Sequence, residues 1–260
     1  MVVTSAPARA GYPARMTGQE ITEAHVAVLS DADMSGYWWY AVRQRHVDAA
    51  LEPVARGGGE LRYLDFGCGP GGVLAAVIDR FGPGQALGLD GTHAAVEVAV
   101  SRGLPAAFAD FREELELPFA PNAISCLDVL EHLEDPVRAL KHLAGAATDD
   151  ARLVVTVPAM PSLHSKWDDL CGHFRRYTRA SLREHLRAGG WEPTRMRHVF
   201  SYCVPPAWWQ RRVLRRVQEV EFPPVSALTN RMLTFAGSVE RMVGSPMPFG
   251  TSLLAVAQRA

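Results

Sequence analysis

Residues Leu61 to Gly72 read LRYLDFGCGPGG, and this stretch constrains the fold more than any other. An apolar run, Leu61, Tyr63, Leu64 and Phe66, carries a single acid, Asp65, near its end. The chain then breaks at Gly67, Cys68, Gly69, Gly71 and Gly72 and passes into the helical run VLAAVIDRF. A strand, a glycine loop and a helix in that order build a nucleotide site. Glycines let the backbone approach the ligand, and the helix N-terminus offers unpaired N–H groups. Gly67, Gly69 and Gly72 satisfy the dinucleotide pattern GxGxxG, which alone says little. Asp65, two residues before the first glycine, suits a different ligand: a carboxylate there holds a cationic ammonium group and sits badly beside a pyrophosphate. A glycine turn with no ligand is the third reading.

The pattern around this loop is regular. Gln85–Asp90 reads as a second strand, Ala106–Ala109 as a third, Ile124–Val129 as a fourth and Leu153–Val157 as a fifth. Helices over His93–Arg102 and Pro136–Ala147 lie between them. Strands alternating with helices predict a doubly wound, mostly parallel sheet that takes its ligand at the strand C-termini. Before the sheet, residues 1–18 read as a disordered tail, Ile21–Leu29 as a short helix, and Ser35–Val54 as a longer helix ended by Pro53. After it, Ala159–Tyr177 reads as a loop, Arg179–Ala188 as a helix and Arg195–Cys203 as a sixth strand. A mostly helical stretch from Pro205 then leads to a seventh strand at Thr251–Gln258. The chain is thus expected to form one domain over residues 19–260, with N-terminal cap helices at 19–56 and a helical insertion at 204–247.

Composition excludes some classes. A formal net charge of −1 argues against a general nucleic-acid binder. The cysteines Cys68, Cys126, Cys171 and Cys203 show no CxxC spacing, so a reducing cytoplasm is the expected compartment. No run is long and apolar enough to span a bilayer. The late segment Pro205–Val217 mixes Trp208 and Trp209 with four arginines. It suits packing on its own domain, a dimer contact or a peripheral membrane contact, so a monomer and a homodimer both remain open.

D-x-G-x-G-x-G, from Asp65 to Gly71, resembles motif I of the class I S-adenosylmethionine-dependent methyltransferases. Asp128-Val-Leu-Glu-His-Leu-Glu-Asp-Pro136 is similar to the pattern that family carries after its fourth strand. Val157-Pro-Ala159 with Asp168 and Gly172-His-Phe-Arg-Arg-Tyr-Thr178 resembles a bacterial, small-molecule subgroup of it. The resemblance implies a seven-stranded Rossmann-like sheet whose last strand runs antiparallel, and S-adenosyl-L-methionine as cofactor, with S-adenosyl-L-homocysteine as product. It places Asp65, Gly67, Cys68, Gly69 and Gly71 around the methionine part and Asp90 with Gly91 at the ribose. Asp110 and Phe111 would meet the adenine, with Asp128 and Val129 beside the cofactor. Arg43 is the expected partner of the methionine carboxylate, closing over it with Trp39. The turn Ala147–Asp150 departs from the Pro-Gly-Gly-like link usual in the family.

Three residues are candidates for the chemistry. His132 follows a strand end near the transferable methyl, and an imidazole is the side chain whose unperturbed pKa suits a base for a hydroxyl or amine at neutral pH. His173 and Asp168 make a possible base and orienter. Glu131, His164, Arg175, Arg176 and Tyr177 are candidate contacts to a small-molecule acceptor. Hydrogen bonds and salt bridges that merely hold these loops are the competing reading. His132, Asp168 and His173 also imitate a two-histidine, one-carboxylate metal site, but their spacing does not require one and no metal is expected. The expected activity is methyl transfer to an oxygen, nitrogen or carbon of a small molecule in secondary or cell-envelope metabolism. A non-catalytic cofactor-binding module and a nicotinamide-dependent oxidoreductase are the alternatives.

Overall fold

The computed structural model describes residues 36–209, 225–244 and 247–260. The expected tail at 1–18, the short helix at 21–29 and the middle of the 204–247 insertion lie outside the described residues. Helix α1, Trp38–Ala55, comes first; Pro53 sits inside its last turn instead of ending it, because the Arg56 N–H still reaches the carbonyl of Glu52. The glycine-loop strand follows as β1, Arg62–Phe66, and leads into α2, Gly72–Phe81. The alternation continues through β2, Gln85–Asp90, α3, His93–Ser101, and β3, Ala106–Phe108. Then come β4, Ala123–Leu127, α4, Pro136–Ala146, and β5, Arg152–Pro158.

Seven strands form one sheet in the order β3-β2-β1-β4-β5-β7-β6. The last two strands are β6, Trp191–Val199, and β7, Ser252–Arg259. All neighbouring pairs are parallel except the two that β7 makes, which are antiparallel. The doubly wound sheet expected from the alternation is therefore present, reversed last strand included. The central strands explain why the alternation looked apolar rather than two-sided. Every residue of β4 and all but the first of β1 and β5 are buried, as parallel strands covered on both faces must be.

Each face of the sheet has its own core. On one, Leu140 and Leu143 of α4 meet Leu182 and Leu186 of α6, Arg179–Ala188, together with Phe66, Ile124, Val155 and Trp191. On the other, Val42, Val47 and Leu51 of α1 meet Leu74 and Val77 of α2 over Tyr63 and Val154. Helix starts follow their side chains. The Arg138 N–H donates to the Asp135 carboxylate at 3.0 Å with Pro136 in the first turn, and the Ser181 N–H donates to Thr178 Oγ1 at 3.1 Å.

The largest differences from the sequence reading are in two places. The sixth strand starts four residues earlier than expected and stops at Val199, where Phe200 turns into the left-handed region at φ 59°. Trp191 opens it because its ring is fully buried and its Nε1–H donates to the Leu140 carbonyl at 3.0 Å. The stretch after β5 is not all loop: α5, Lys166–Leu170, forms inside it. Within the insertion the described helices are α7, Val204–Trp208, and α8, Ala227–Val243. Helix α8 lies against α1, where the Trp38 N–H donates to Asn230 Oδ1 at 2.8 Å. Its outer face exposes Leu228, Met232, Phe235, Val239 and Met242, an apolar stripe at helical spacing. Among the described residues no helix is long and apolar enough to cross a membrane.

Gly237 allows α8 its close approach. A Cβ there would lie 2.5 Å and 2.7 Å from the two methyl carbons of Val42. Alanine would raise helix propensity by about 1 kcal/mol, whereas overpacking against a β-branched neighbour costs about 1–3 kcal/mol. Gly237→Ala should therefore lower the melting temperature by a few degrees; a rise would mean that α8 is not pressed on α1.

Candidate active site

The C-terminal ends of β1, β4 and β5 bring the candidate residues together. Asp65, on the penultimate position of β1, is buried, and its Oδ1 accepts a hydrogen bond from Ser125 Oγ of β4 at 2.5 Å. Tyr63 extends this network through Ser125. The other carboxylate oxygen, Oδ2, is buried without a hydrogen-bond partner. Burial raises the Asp65 pKa to about 6, against the opposing effects of the Ser125 hydroxyl and the Arg43 charge. A buried carboxylate oxygen without a donor costs free energy unless a ligand completes it.

Beyond Asp65 the chain turns sharply. Gly67, Gly69 and Gly71 all have positive φ. A Cβ on Gly67 would lie 2.2 Å from Val129 Cγ2, so only glycine lets this loop touch the β4 end. The backbone N–H groups of Gly67 and Cys68 donate to the Leu89 carbonyl, which leaves Cys68 buried beneath the loop with its thiol pKa raised by burial. Asp90 ends β2 and accepts from the Gly69 and Thr92 N–H groups at 2.8 and 2.9 Å, one on each oxygen. Its carboxylate is thereby fixed at the mouth of the loop, with a lone pair on each oxygen left for hydroxyl donors.

Asp110 and Phe111 divide. Phe111 stacks on Phe66 with ring centroids 3.9 Å apart, and its ring edge lies 4.0 Å from the position a Cβ on Gly91 would take, so it forms one wall beside Gly91. The Asp110 carboxylate is held by both donating ends of Arg112, at 2.9 and 2.6 Å. That pair holds its pKa at about 2, well below the usual carboxylate range. A cavity of about 440 Å³ opens beside Asp110, lined by Leu87, Leu89, Phe108, Glu113 and Leu115. It includes neither Asp65 nor the two candidate histidines.

Asp128 follows β4 in the left-handed conformation at φ 55°. Its Oδ2 accepts from Arg43 at 2.8 Å and from Thr156 Oγ1 at 3.1 Å. The Arg43 guanidinium also lies over Trp39 and Tyr40, with its carbon 4.4 and 5.0 Å from the ring centroids. Trp39 in turn stacks on Phe200, at 5.9 Å. One face of Arg43 is thus engaged, while its Nε–H is buried and unpaired. One oxygen of Asp65 and the Arg43 Nε–H, the latter beside Asp128, are thus both without a hydrogen-bond partner.

The 159–177 segment closes on itself where Ala159 bridges Tyr177 and the Tyr177 N–H donates to the Pro158 carbonyl at 2.8 Å. It is then tied to the turn that follows β4, Leu130–His132, for the Phe174 N–H donates to the Glu131 carbonyl at 2.8 Å. This places His173 beside His132, with ring centroids 4.6 Å apart and nearly perpendicular planes. His173 Nδ1 faces the Asp168 carboxylate at 3.2 Å. Asp168 is fully buried and also accepts from Arg176 at 2.6 Å and from the Ser165 N–H and hydroxyl.

The remaining candidates serve other contacts. Arg176 also donates to the Ala159 carbonyl, and Arg175 donates to the Glu134 carbonyl. Tyr177 is buried with its hydroxyl on the Leu130 carbonyl, and burial raises its pKa. His164 lies outside this cluster, 3.7 Å from the Asp169 carboxylate. The carboxylate grouped with His132 and His173 is Glu131, not the Asp168 of the sequence pattern; ligand atoms of those three lie within 4.8 Å of one another. Glu131 is buried, its Oε2 has no hydrogen-bond partner, and burial together with the Asp128 charge holds its pKa well above the usual carboxylate range. Ser125 and Thr156 were missed in the sequence. Their signal was a lone hydroxyl within an otherwise apolar buried strand, which requires a partner.

Sheet order, reversed β7 and the acid-led glycine loop define the class I methyltransferase architecture. The profile of a family described as "Methyltransferase domain" matches residues 27–195, and the chain belongs to that family of class I methyltransferases. It is 32% identical over 150 residues to an uncharacterized 37.1 kDa protein in transposon TN4556 of Streptomyces fradiae, covering 55% of this chain and 43% of that protein. It is 29% identical over 144 residues to a ubiquinone biosynthesis O-methyltransferase of Xanthomonas axonopodis pv. citri, covering 48% and 57%. The chain thus spans about half the length of the curated relatives it matches. In fold it is similar to the magnesium protoporphyrin IX methyltransferase of Synechocystis PCC 6803, solved with bound S-adenosylmethionine. The TM-score is 0.54 at 16% identity, with 96% of this chain and 100% of that one covered.

Asp65 gives the site a pH signature. The folded protein holds its proton up to about pH 6, while the unfolded chain releases it near pH 4. Folded molecules therefore bind more protons between these values, and this group's contribution to stability falls as pH rises through the window. Without ligand, Asp65→Asn should gain about 2–3 kcal/mol relative to the parent protein between pH 4 and pH 6. Denaturant unfolding that shows a pH-independent difference would contradict the buried, unpaired carboxylate.

Proposed function

We propose that this protein transfers the methyl group of S-adenosylmethionine to an oxygen of a small-molecule acceptor. The observation that carries the reading is the orphaned Oδ2 of Asp65 beneath a glycine loop that is pinned to Asp90 through the Gly69 N–H. An ammonium group would complete Asp65, and the unpaired Nε–H of Arg43 would hold the neighbouring carboxylate. The free lone pairs of Asp90 suit the two ribose hydroxyls, and Phe111 offers an apolar wall to the base. A pyrophosphate would meet the Asp65 charge instead, which disfavours a dinucleotide. Likeness to an O-methyltransferase supports oxygen as the acceptor atom.

S-adenosylmethionine supplies a methyl group already activated by a sulfonium leaving group. The residues of this chain have then to align the acceptor, exclude water and take up a proton. Asp168 holds His173 Nδ1 and so fixes the ring with Nε2 turned to the acceptor side. Trp39, Tyr40 and Arg43 form the wall on the α1 side.

Asp65→Ala and Asp90→Ala should each weaken S-adenosylmethionine binding by about ten- to a hundredfold, because each removes a charge-assisted contact of about 1.5–3 kcal/mol. Calorimetry on the folded variants measures this directly. Affinity near that of the parent protein in Asp65→Ala would reject the proposed site.

A further inference from the structure

Glu131, His132 and His173 form a second constellation that cofactor binding does not use. Their ligand atoms converge within 4.8 Å although the third comes from a different segment, anchored by the Phe174–Glu131 backbone hydrogen bond. One carboxylate and two imidazoles are the donor set of open catalytic metal sites. Two observations point to a cation and not to a simple hydrogen-bonded cluster. Glu131 Oε2 is buried and without a hydrogen-bond partner. His173 Nδ1 faces the fully buried Asp168, itself fixed by Arg176 and Ser165. A carboxylate behind a histidine is how ligand imidazoles are oriented, with the opposite nitrogen presented to the metal. Charge agrees: Arg43 is paired with Asp128 and Arg176 with Asp168, so neither neighbouring guanidinium pairs with Glu131.

We propose that Glu131, His132 and His173 bind a divalent first-row metal ion whose open coordination positions take the acceptor's hydroxyl oxygen. The role assigned to the ion rests on the methyl-transfer reading above; the site itself does not. A bound divalent cation lowers the pKa of a coordinated hydroxyl, so the acceptor's proton passes to water and the oxygen remains as an anion. That oxygen forms the new O–C bond as the S–C bond breaks. The bonding pair stays on sulfur, which leaves as a neutral thioether, and no oxidant or reductant is needed.

The test uses the untagged full chain after chelator treatment, titrated with Co2+ as a spectroscopic probe and separately with S-adenosylhomocysteine by calorimetry. One Co2+ per chain should bind, with visible ligand-field bands. His132→Gln, at an exposed position, and Glu131→Gln should each weaken Co2+ binding at least tenfold and leave S-adenosylhomocysteine affinity within about threefold of the parent. Asp168→Asn should weaken Co2+ binding about 10–100-fold, as loss of an orienting carboxylate does. Absence of Co2+ binding by the parent chain would overturn the proposal, and so would undiminished binding in folded His132→Gln. Co2+ binding that meets these expectations without any S-adenosylhomocysteine binding would support the metal site and reject the methyl-transfer reading. The reverse pattern would reject the site alone.

Discussion

The contact between Gly67 and Val129 sets the geometry on which the rest of the site depends. The two loops that follow β1 and β4 meet so closely that no side chain fits between them, and neighbouring parallel strands hold both in register. The ligand loop and the ionisable segment Asp128–His132 are therefore fixed at one distance before any ligand arrives. Preorganisation of this kind is what a transfer reaction requires, because the leaving group is already activated and alignment makes the largest demand on the protein.

Charge is distributed around that contact in an economical pattern. Four carboxylates lie near or below the surface: Asp65, Asp128 and Glu131 at or just after the ends of β1 and β4, and Asp168 in α5. Asp128 and Asp168 have arginine partners: the Arg43–Asp128 pair ties α1 to the end of β4, and the Arg176–Asp168 pair braces the 159–177 segment internally. Asp65 and Glu131 each keep one oxygen without a donor. Buried ion pairs are costly to break by removing one partner, so loss of Arg43 or Arg176 would also leave Asp128 or Asp168 uncompensated.

Much of this was legible in the sequence, for identifiable reasons. The sheet could be read because central parallel strands are short apolar runs and their helices begin at caps such as Asp135 and Thr178. The glycine loop could be read because positive φ and close approach restrict Gly67 and Gly71 to glycine. The metal-type grouping was only half legible. Glu131 and His132 are neighbours in the chain and were visible, but the approach of His173 depends on a backbone hydrogen bond between residues 131 and 174, which no local pattern encodes. The start of β6 was misplaced because Arg195 to Cys203 looked more strand-like than Trp191-Glu-Pro193. What decides it is the burial of the Trp191 ring against α4, a long-range contact.

The central claim is that the glycine loop and Asp65 select an adenosyl amino acid over a dinucleotide, and comparative thermal denaturation tests it most directly. At a hundredfold excess over its dissociation constant, S-adenosylhomocysteine should stabilise the protein by about 2.7 kcal/mol, a rise of several degrees, while NAD at the same concentration leaves the transition unchanged. A rise with NAD and none with S-adenosylhomocysteine would contradict the account.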